Sequence, residues 1–149
     1  MILCFCDASF DPKNKIASIA WKIGNNDICY TIIRDTNNTR AEIIVLLEIL
    51  SKINHDLEYI IYTDCASLIS RINSRDEIIR SNYKTRCGKD IKNADLYSQI
   101  FNKLQNNIKI KHIEGHLPTR NMNTNNIIFS QVDKLARKKL RQYLSTNHQ

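Results

Sequence analysis

The chain has 149 residues and a formal net charge of +7, with 42% apolar and 25% charged residues. This length predicts a single domain over residues 1–149 that is large enough to bury a core. No apolar run is long enough to span a membrane, and the apolar start meets Asp7 too early for a signal peptide. The sequence therefore predicts an intracellular, cytoplasmic protein without a membrane partner.

The first half of the chain alternates between apolar runs and turn residues. Strands are predicted at residues 2–9, 16–23 and 28–34, with Gly24-Asn25-Asn26-Asp27 as the hairpin turn between the second and the third. Residues 40–53 carry a wide apolar stripe with helical spacing and predict a helix.

The second half predicts two more strands among helices. In chain order we predict a strand at 58–63, a helix at 65–73, a mixed basic segment at 74–93, a helix at 94–106, a strand at 108–113, a polar Asn-rich loop at 117–129 and a basic helix at 130–144. The order βββαβααβα predicts three antiparallel strands followed by two that run parallel to the first. The expected fold is α/β, with a five-stranded mixed sheet and helices on both faces.

The net positive charge favours a polyanionic partner, and nucleic acid is the first candidate. The alternative is a basic surface that binds nothing. The five cysteines are odd in number, form no Cys-x-x-Cys pair and have no histidine at ligand spacing. They are therefore interpreted as free buried thiols of a reducing compartment, not as disulfides or a zinc site.

Four acids stand at the predicted ends of strands and helices. Asp7 closes the apolar run of the first strand and Asp64 closes that of the fourth, so parallel neighbours would bring both acids to one sheet edge. Glu42 and Asp133 are predicted in the first turns of their helices. Because carboxylate oxygens suit hard cations, the set is typical of a Mg2+ or Mn2+ site.

Each acid also has a purely structural interpretation. Thr39-x-x-Glu42 and Ser130-x-x-Asp133 fit capping boxes, and Asp64 could cap the helix that it precedes. Asp7 could begin a turn. However, Asp7 follows an apolar strand, where a carboxylate without a cation or a hydrogen-bond donor is costly to bury.

Several short motifs occur in order along nearly the whole chain. They are Cys6-Asp7-Ala8-Ser9, Asn38-Thr39-Arg40-Ala41-Glu42, Tyr62-Thr63-Asp64-Cys65, Lys92-Asn93-Ala94-Asp95-Leu96-Tyr97, Glu114-Gly115-His116 and Val132-Asp133-Lys134-Leu135-Ala136. In this order and on these elements, the sequence resembles the type 1 ribonuclease H family. The resemblance implies that family's fold and a metal-dependent endoribonuclease that hydrolyses the RNA strand of RNA–DNA hybrids, leaving 5′-phosphate ends.

The resemblance also implies roles for the acids. Asp7, Glu42, Asp64 and Asp133 would hold two Mg2+ ions, or Mn2+, with Asp7 between both ions and Asp133 completing the second site. His116 would assist proton movement or product departure. Its alternative is a surface loop histidine.

The resemblance further places Asn38, Thr39 and Arg40 near the minor groove of the hybrid. Within the basic segment, Lys84, Arg86 and Lys89 would grip the duplex, unless the segment is only a solvated loop.

Two positions and one segment depart from the family pattern. Thr39 and Ala66 stand where many relatives carry Asn and Gln, and the Asn-rich stretch after His116 looks longer than in compact relatives and is expected to be mobile. The alternatives are therefore a nuclease of the same fold for double-stranded RNA or branched DNA, and a non-catalytic hybrid-binding module. We expect a monomer.

Overall fold

The computed structural model describes residues 1–147, whose strands form one five-stranded sheet in the order β3-β2-β1-β4-β5. The strands are β1 (Ile2–Asp11), β2 (Ile16–Ile23), β3 (Cys29–Arg34), β4 (Tyr59–Thr63) and β5 (Ile108–His112). The pairs β1–β2 and β2–β3 are antiparallel, and β1–β4 and β4–β5 are parallel. The predicted mixed sheet is confirmed.

Helices cover both faces of this sheet, as predicted. They are α1 (Asn38–Lys52), α2 (Ala66–Asn73), α3 (Arg75–Arg80), α4 (Ala94–Lys103) and α5 (Thr124–Asn147). Successive residues of β1 point to opposite faces. Cys4 and Cys6 therefore enter the core beneath α1 to α4, whereas Phe5 packs with Phe129 and Val132 of α5.

The start of α1 excludes the alternative in which Thr39 and Glu42 form a capping box. Asn37, not Thr39, is the N-cap residue, and its side chain accepts the N–H of Arg40 at 2.9 Å. Glu42 therefore does not cap the helix. It lies among the buried residues of the helix.

The start of α5 is the largest difference from the sequence prediction. The helix begins at Thr124, whereas the sequence predicts a loop up to residue 129 and a helix only from residue 130. Asn123 and Asn126 each accept the backbone N–H of the other, at 2.9 and 3.1 Å. Residues 124–129 are therefore helical, and the alternative in which Ser130 and Asp133 form a capping box is excluded, because both lie in the interior of α5.

The basic segment 74–93 is more ordered than predicted. It contains α3, which the sequence did not predict, and then a loop closed by an isolated bridge between Lys84 and Asp90. Gly88 takes a positive φ of 79° at the tip of this loop, a conformation that glycine adopts without strain.

All five cysteines are free thiols, but only Cys4 and Cys6 are fully buried. Cys29 and Cys87 are exposed, which corrects the prediction that all five lie inside. Within residues 1–147, no helix has both the length and the apolar character that crossing a membrane requires.

Candidate metal centre

The sheet register brings Asp7 and Asp64 together. In the parallel pair, Phe5 is opposite Tyr62, and two residues further along both chains are Asp7 and Asp64. Asp7 does not end its strand as predicted, because β1 continues to Asp11 and Asp7 pairs there with Ala20 of β2. Asp7 therefore lies within a paired strand, beyond the point where the neighbouring strand β4 ends.

Three carboxylates converge at this point. Asp7, Glu42 and Asp64 each offer an oxygen, and these atoms all lie within 4.8 Å of one another. Asp7 is 4% exposed and Glu42 is 5% exposed. Glu42 Oε1 accepts the N–H of Ala8 at 3.1 Å, whereas Oε2 is buried without a hydrogen-bond partner within the described residues. A buried unpartnered carboxylate oxygen beside two other acids fits a divalent-cation ligand.

The electrostatics of the cluster support the same interpretation. Burial, with the charges of Glu42 and Asp64, raises the pKa of Asp7 to about 10. Burial followed by the charge of Asp64 raises the pKa of Glu42 well above its ordinary value. Burial also raises the pKa of Asp64, and the charge of Asp133 adds to this. The cluster resists ionisation in the absence of a cation, and a bound cation would compensate its charge.

The other predicted site residues surround the same place. A cleft of about 290 Å3 is lined by the acids Asp7, Glu42, Asp64 and Asp133 together with Ala8, Asn38, Cys65 and His116. Asp133 reaches it from the interior of α5, not from the first turn as predicted, and Arg137 Nη2 donates to its Oδ2 at 2.8 Å. His116 takes a positive φ of 60° between β5 and α5, and its charge partly opposes the rise in the pKa of Asp64 that burial and Asp133 cause.

Arg40 forms an ion pair that the sequence did not predict. Its guanidinium donates to both carboxylate oxygens of Asp95, at 3.1 and 2.8 Å, and to Asn93 Oδ1 at 3.2 Å. The side chain is 32% exposed. In this arrangement Arg40 holds the start of α1 to the start of α4, and few of its donors remain for a ligand.

The three predicted cations of the basic segment are all exposed. Lys84 is paired with Asp90, which neutralises it locally. Arg86 and Lys89 stand on the loop around Gly88, and neither forms an ion pair with another residue of the range 1–147.

The sequence analysis missed a second, polar groove. It has a volume of about 460 Å3 and is lined by Asn37, Thr39, Ser67, Arg71, Lys92 and Asn93, among others. Ser67 and Arg71 are four residues apart on α2 and therefore share one face. That spacing, directly after Asp64, was the signal that could have identified them.

Comparisons with known proteins agree with this geometry. The sequence model of the RNase H family matches residues 1–141. The chain is similar to the ribonuclease H of Caldicellulosiruptor saccharolyticus, with 25% identity over 114 residues that cover 74% of this chain and 78% of that protein. It is also similar to the ribonuclease H of Clostridium botulinum strain Hall, with 28% identity over 106 residues that cover 69% and 66% of the two chains.

Proposed function

The chain belongs to the RNase H family, and we propose from this premise that it is a metal-dependent endoribonuclease that hydrolyses the RNA strand of RNA–DNA hybrids. The observation that carries the proposal is the buried cluster of Asp7, Glu42 and Asp64 with its unpartnered Glu42 oxygen. A family fold without such a cluster would support binding alone.

The four acids would hold two Mg2+ ions, with Mn2+ as a substitute. Ions bound there would activate a water and stabilise the leaving 3′ oxygen of an in-line displacement, leaving a 5′-phosphate. Asp7, which lies in one cluster with Glu42 and Asp64, would help to hold both ions. Asp133 would complete the set from α5.

His116 would assist proton transfer or product departure. It is exposed at the mouth of the cleft, close enough to Asp64 for its charge to oppose the rise in the pKa of that acid caused by burial and Asp133. An imidazole in this position can give a proton to a departing oxygen or release a product from the cleft. Its place on a connection, not on a strand, suits a group that must approach and withdraw.

The substrate proposal depends on what surrounds the cleft. Asn38 lines the cleft itself, and its amide can bond to a 2′-hydroxyl, the group that distinguishes RNA from DNA. Arg71 and Lys92 line the neighbouring groove, where the phosphates of the uncut strand would lie. The net charge of +7 favours such a partner.

A second candidate keeps the chemistry and changes the substrate. Thr39 and Ala66, which replace residues that many relatives use near the hybrid, favour a test with double-stranded RNA and branched DNA. A non-catalytic binding module is the third candidate. It is disfavoured because a protein that only binds polyanions gains nothing from buried acids beside its ligand.

The deciding experiment is cleavage of a labelled RNA–DNA hybrid beside the same RNA single-stranded, the RNA duplex and a branched DNA. Each is incubated with Mg2+, with Mn2+ and with chelator. Metal-dependent cutting of the hybrid alone is expected, and Asp7→Asn should abolish it while hybrid binding persists. Asp27→Asn, which removes the same charge from an exposed turn, is the matched control. Binding without cutting under every metal would contradict the proposal.

A further inference from the structure

Gly115 lies directly against the carboxylate of Asp64. A Cβ atom built on Gly115 would stand 2.9 Å from Asp64 Oδ2 and 3.8 Å from its Cβ and Cγ atoms. The other two glycines, Gly24 and Gly88, have positive φ values, but Gly115 is not among the positive-φ residues. A side chain at this position would therefore disturb Asp64 through close contact, and not through the backbone conformation.

We propose that Gly115 is a positioning residue for Asp64. Because it has no side chain, the connection after β5 can pass close behind the carboxylate and fix where its oxygens face Asp7 and Glu42. The inference rests on the proposed function, since it concerns the geometry of a cation-binding acid. It adds a residue that acts on the site through Asp64.

The surroundings decide what moves when a methyl group is added. Ordinary van der Waals contact begins at 3.4 Å, so an alanine at 2.9 Å requires a displacement of about 0.5 Å. The main chain cannot easily retreat, because buried Ile113, two residues earlier, donates its N–H to Thr63 O at 2.9 Å. The Asp64 carboxylate, the end of a side chain with two rotatable bonds, is the part that yields.

Displacement of Asp64 would act on the cation site and not on the fold. One oxygen from each of the three acids lies within 4.8 Å of the other two, and ligand distances in metal sites hold to within about 0.2 Å, so a shift of about half an ångström would disturb the site. Catalytic geometry is sensitive on this scale, and a misplacement of about 1 Å can reduce a rate about 100-fold.

The test compares Gly115→Ala with Glu58→Ala, which removes an exposed side chain directly before β4, at the end of the sheet opposite the acidic cluster. Thermal unfolding is followed in chelator and during titration with Mg2+ and with Mn2+, and hybrid cleavage is measured at each metal concentration. In chelator, Gly115→Ala should unfold within about 3 °C of the wild type, because a glycine-to-alanine change at an unstrained φ is close to neutral.

With metal, the two variants should separate. Gly115→Ala should need about 10-fold more metal for half of the thermal shift and should cut the hybrid about 10- to 100-fold more slowly, whereas Glu58→Ala should match the wild type. In an Asp64→Ala background, Gly115→Ala should cause no further loss of metal affinity, because the carboxylate atoms that the added methyl group displaces are absent. If Gly115→Ala lowers the unfolding temperature in chelator, the addition of Asp64→Ala must restore that temperature, because it removes the carboxylate that the methyl group contacts.

The outcomes separate this inference from the proposed function. If the wild type is stabilised by metal and cleaves the hybrid, and Gly115→Ala has the same metal dependence, only the positioning role is overturned. If Gly115→Ala lowered the metal affinity as much in the Asp64→Ala background as in the wild type, the positioning role would also be overturned, since the effect would then not depend on Asp64. A wild type with neither stabilisation by metal nor cleavage would overturn both.

Discussion

Arg137 Nη2 lies 2.8 Å from Oδ2 of Asp133, so the acid that α5 contributes to the cleft is paired within its own helix. Asp133 is largely buried and Arg137 is half-exposed. The two residues are four apart, with the acid first, which is the favourable orientation for a helical pair. A cation that uses Asp133 must therefore compete with the guanidinium.

Arg137→Ala should lower the metal requirement. Helical pairs of this kind contribute about 0.3–0.5 kcal/mol, so removing the competitor should reduce the Mg2+ concentration for half of the thermal shift about 2-fold. Arg141→Ala removes the same charge one turn further along α5, at an exposed position, and should leave the midpoint unchanged. A higher Mg2+ requirement for Arg137→Ala would show that Arg137 orients Asp133 and does not compete for it.

Asp7→Asn should stabilise the metal-free protein increasingly as the pH rises. The folded chain holds the Asp7 proton with a pKa of about 10, whereas an unfolded aspartate loses it near 4. Stability from this group is therefore complete below about pH 4 and is lost as the pH rises towards about 10. Asparagine cannot ionise and escapes this loss.

Thermal unfolding in chelator checks the Asp7 prediction. The melting temperature of Asp7→Asn minus that of the wild type should grow from about pH 5 to about pH 9. Asp27→Asn, in an exposed turn, should show a difference that does not change across this range. If the difference in melting temperature between Asp7→Asn and the wild type did not change with pH, ionisation of Asp7 would not be what destabilises the metal-free protein.

The strand order and the meeting of Asp7 with Asp64 could be predicted because both depend on local patterns. Apolar runs of strand length end near acids, and chain order fixes which strands are parallel. The beginning of α5 could not be predicted in this way. Asparagine is typical of turns as well as caps, and composition alone does not reveal that Asn123 and Asn126 bond to each other.

The environment of Arg40 was beyond sequence reasoning for another reason. Its partner Asp95 is 55 residues away, and nothing local distinguishes a paired arginine from one that faces a ligand. The groove lined by Arg71 and Lys92 has the same origin, because it exists only once α2 and the start of α4 lie side by side. Long-range docking, not local propensity, decides both.

The cations of the basic segment should contribute unequally to hybrid binding. Removal of one cation that binds a duplex phosphate should reduce the slope of log affinity against log salt by about 0.9. Arg86→Ala and Lys89→Ala should each show this reduction, whereas Lys84→Ala should show less because Asp90 already neutralises Lys84. Binding is measured by fluorescence anisotropy across a salt series, with catalysis blocked by chelator.

A matched control for the basic segment is Lys109→Ala. Lys109 is exposed at the beginning of β5, at the end of the sheet opposite the acidic cluster. Its removal should leave the salt slope unchanged. Equal slopes for all four variants would mean that only the net charge matters and that the segment has no defined position on the duplex.

Asn123→Ala should destabilise the protein without impairing the cleft. The change removes one half of the reciprocal cap, and loss of an N-cap side chain costs about 1 kcal/mol, or about 2–4 °C for a chain of this size. Asp133 lies more than two turns beyond the cap, and buried Phe129 and Val132 hold that part of α5 on the sheet. Cleavage per folded molecule should therefore be preserved.

The partner of the cap provides the internal test. Because Asn123 and Asn126 each bond to the other's backbone, the two alanine variants should not be additive, and the double variant should be destabilised by less than the sum. Asn121→Ala, at an exposed position before the cap, should leave the unfolding temperature unchanged. If Asn123→Ala abolished cleavage while the protein stayed folded, the start of α5 would have to hold Asp133 in place, and the buried apolar packing would not be sufficient to do so.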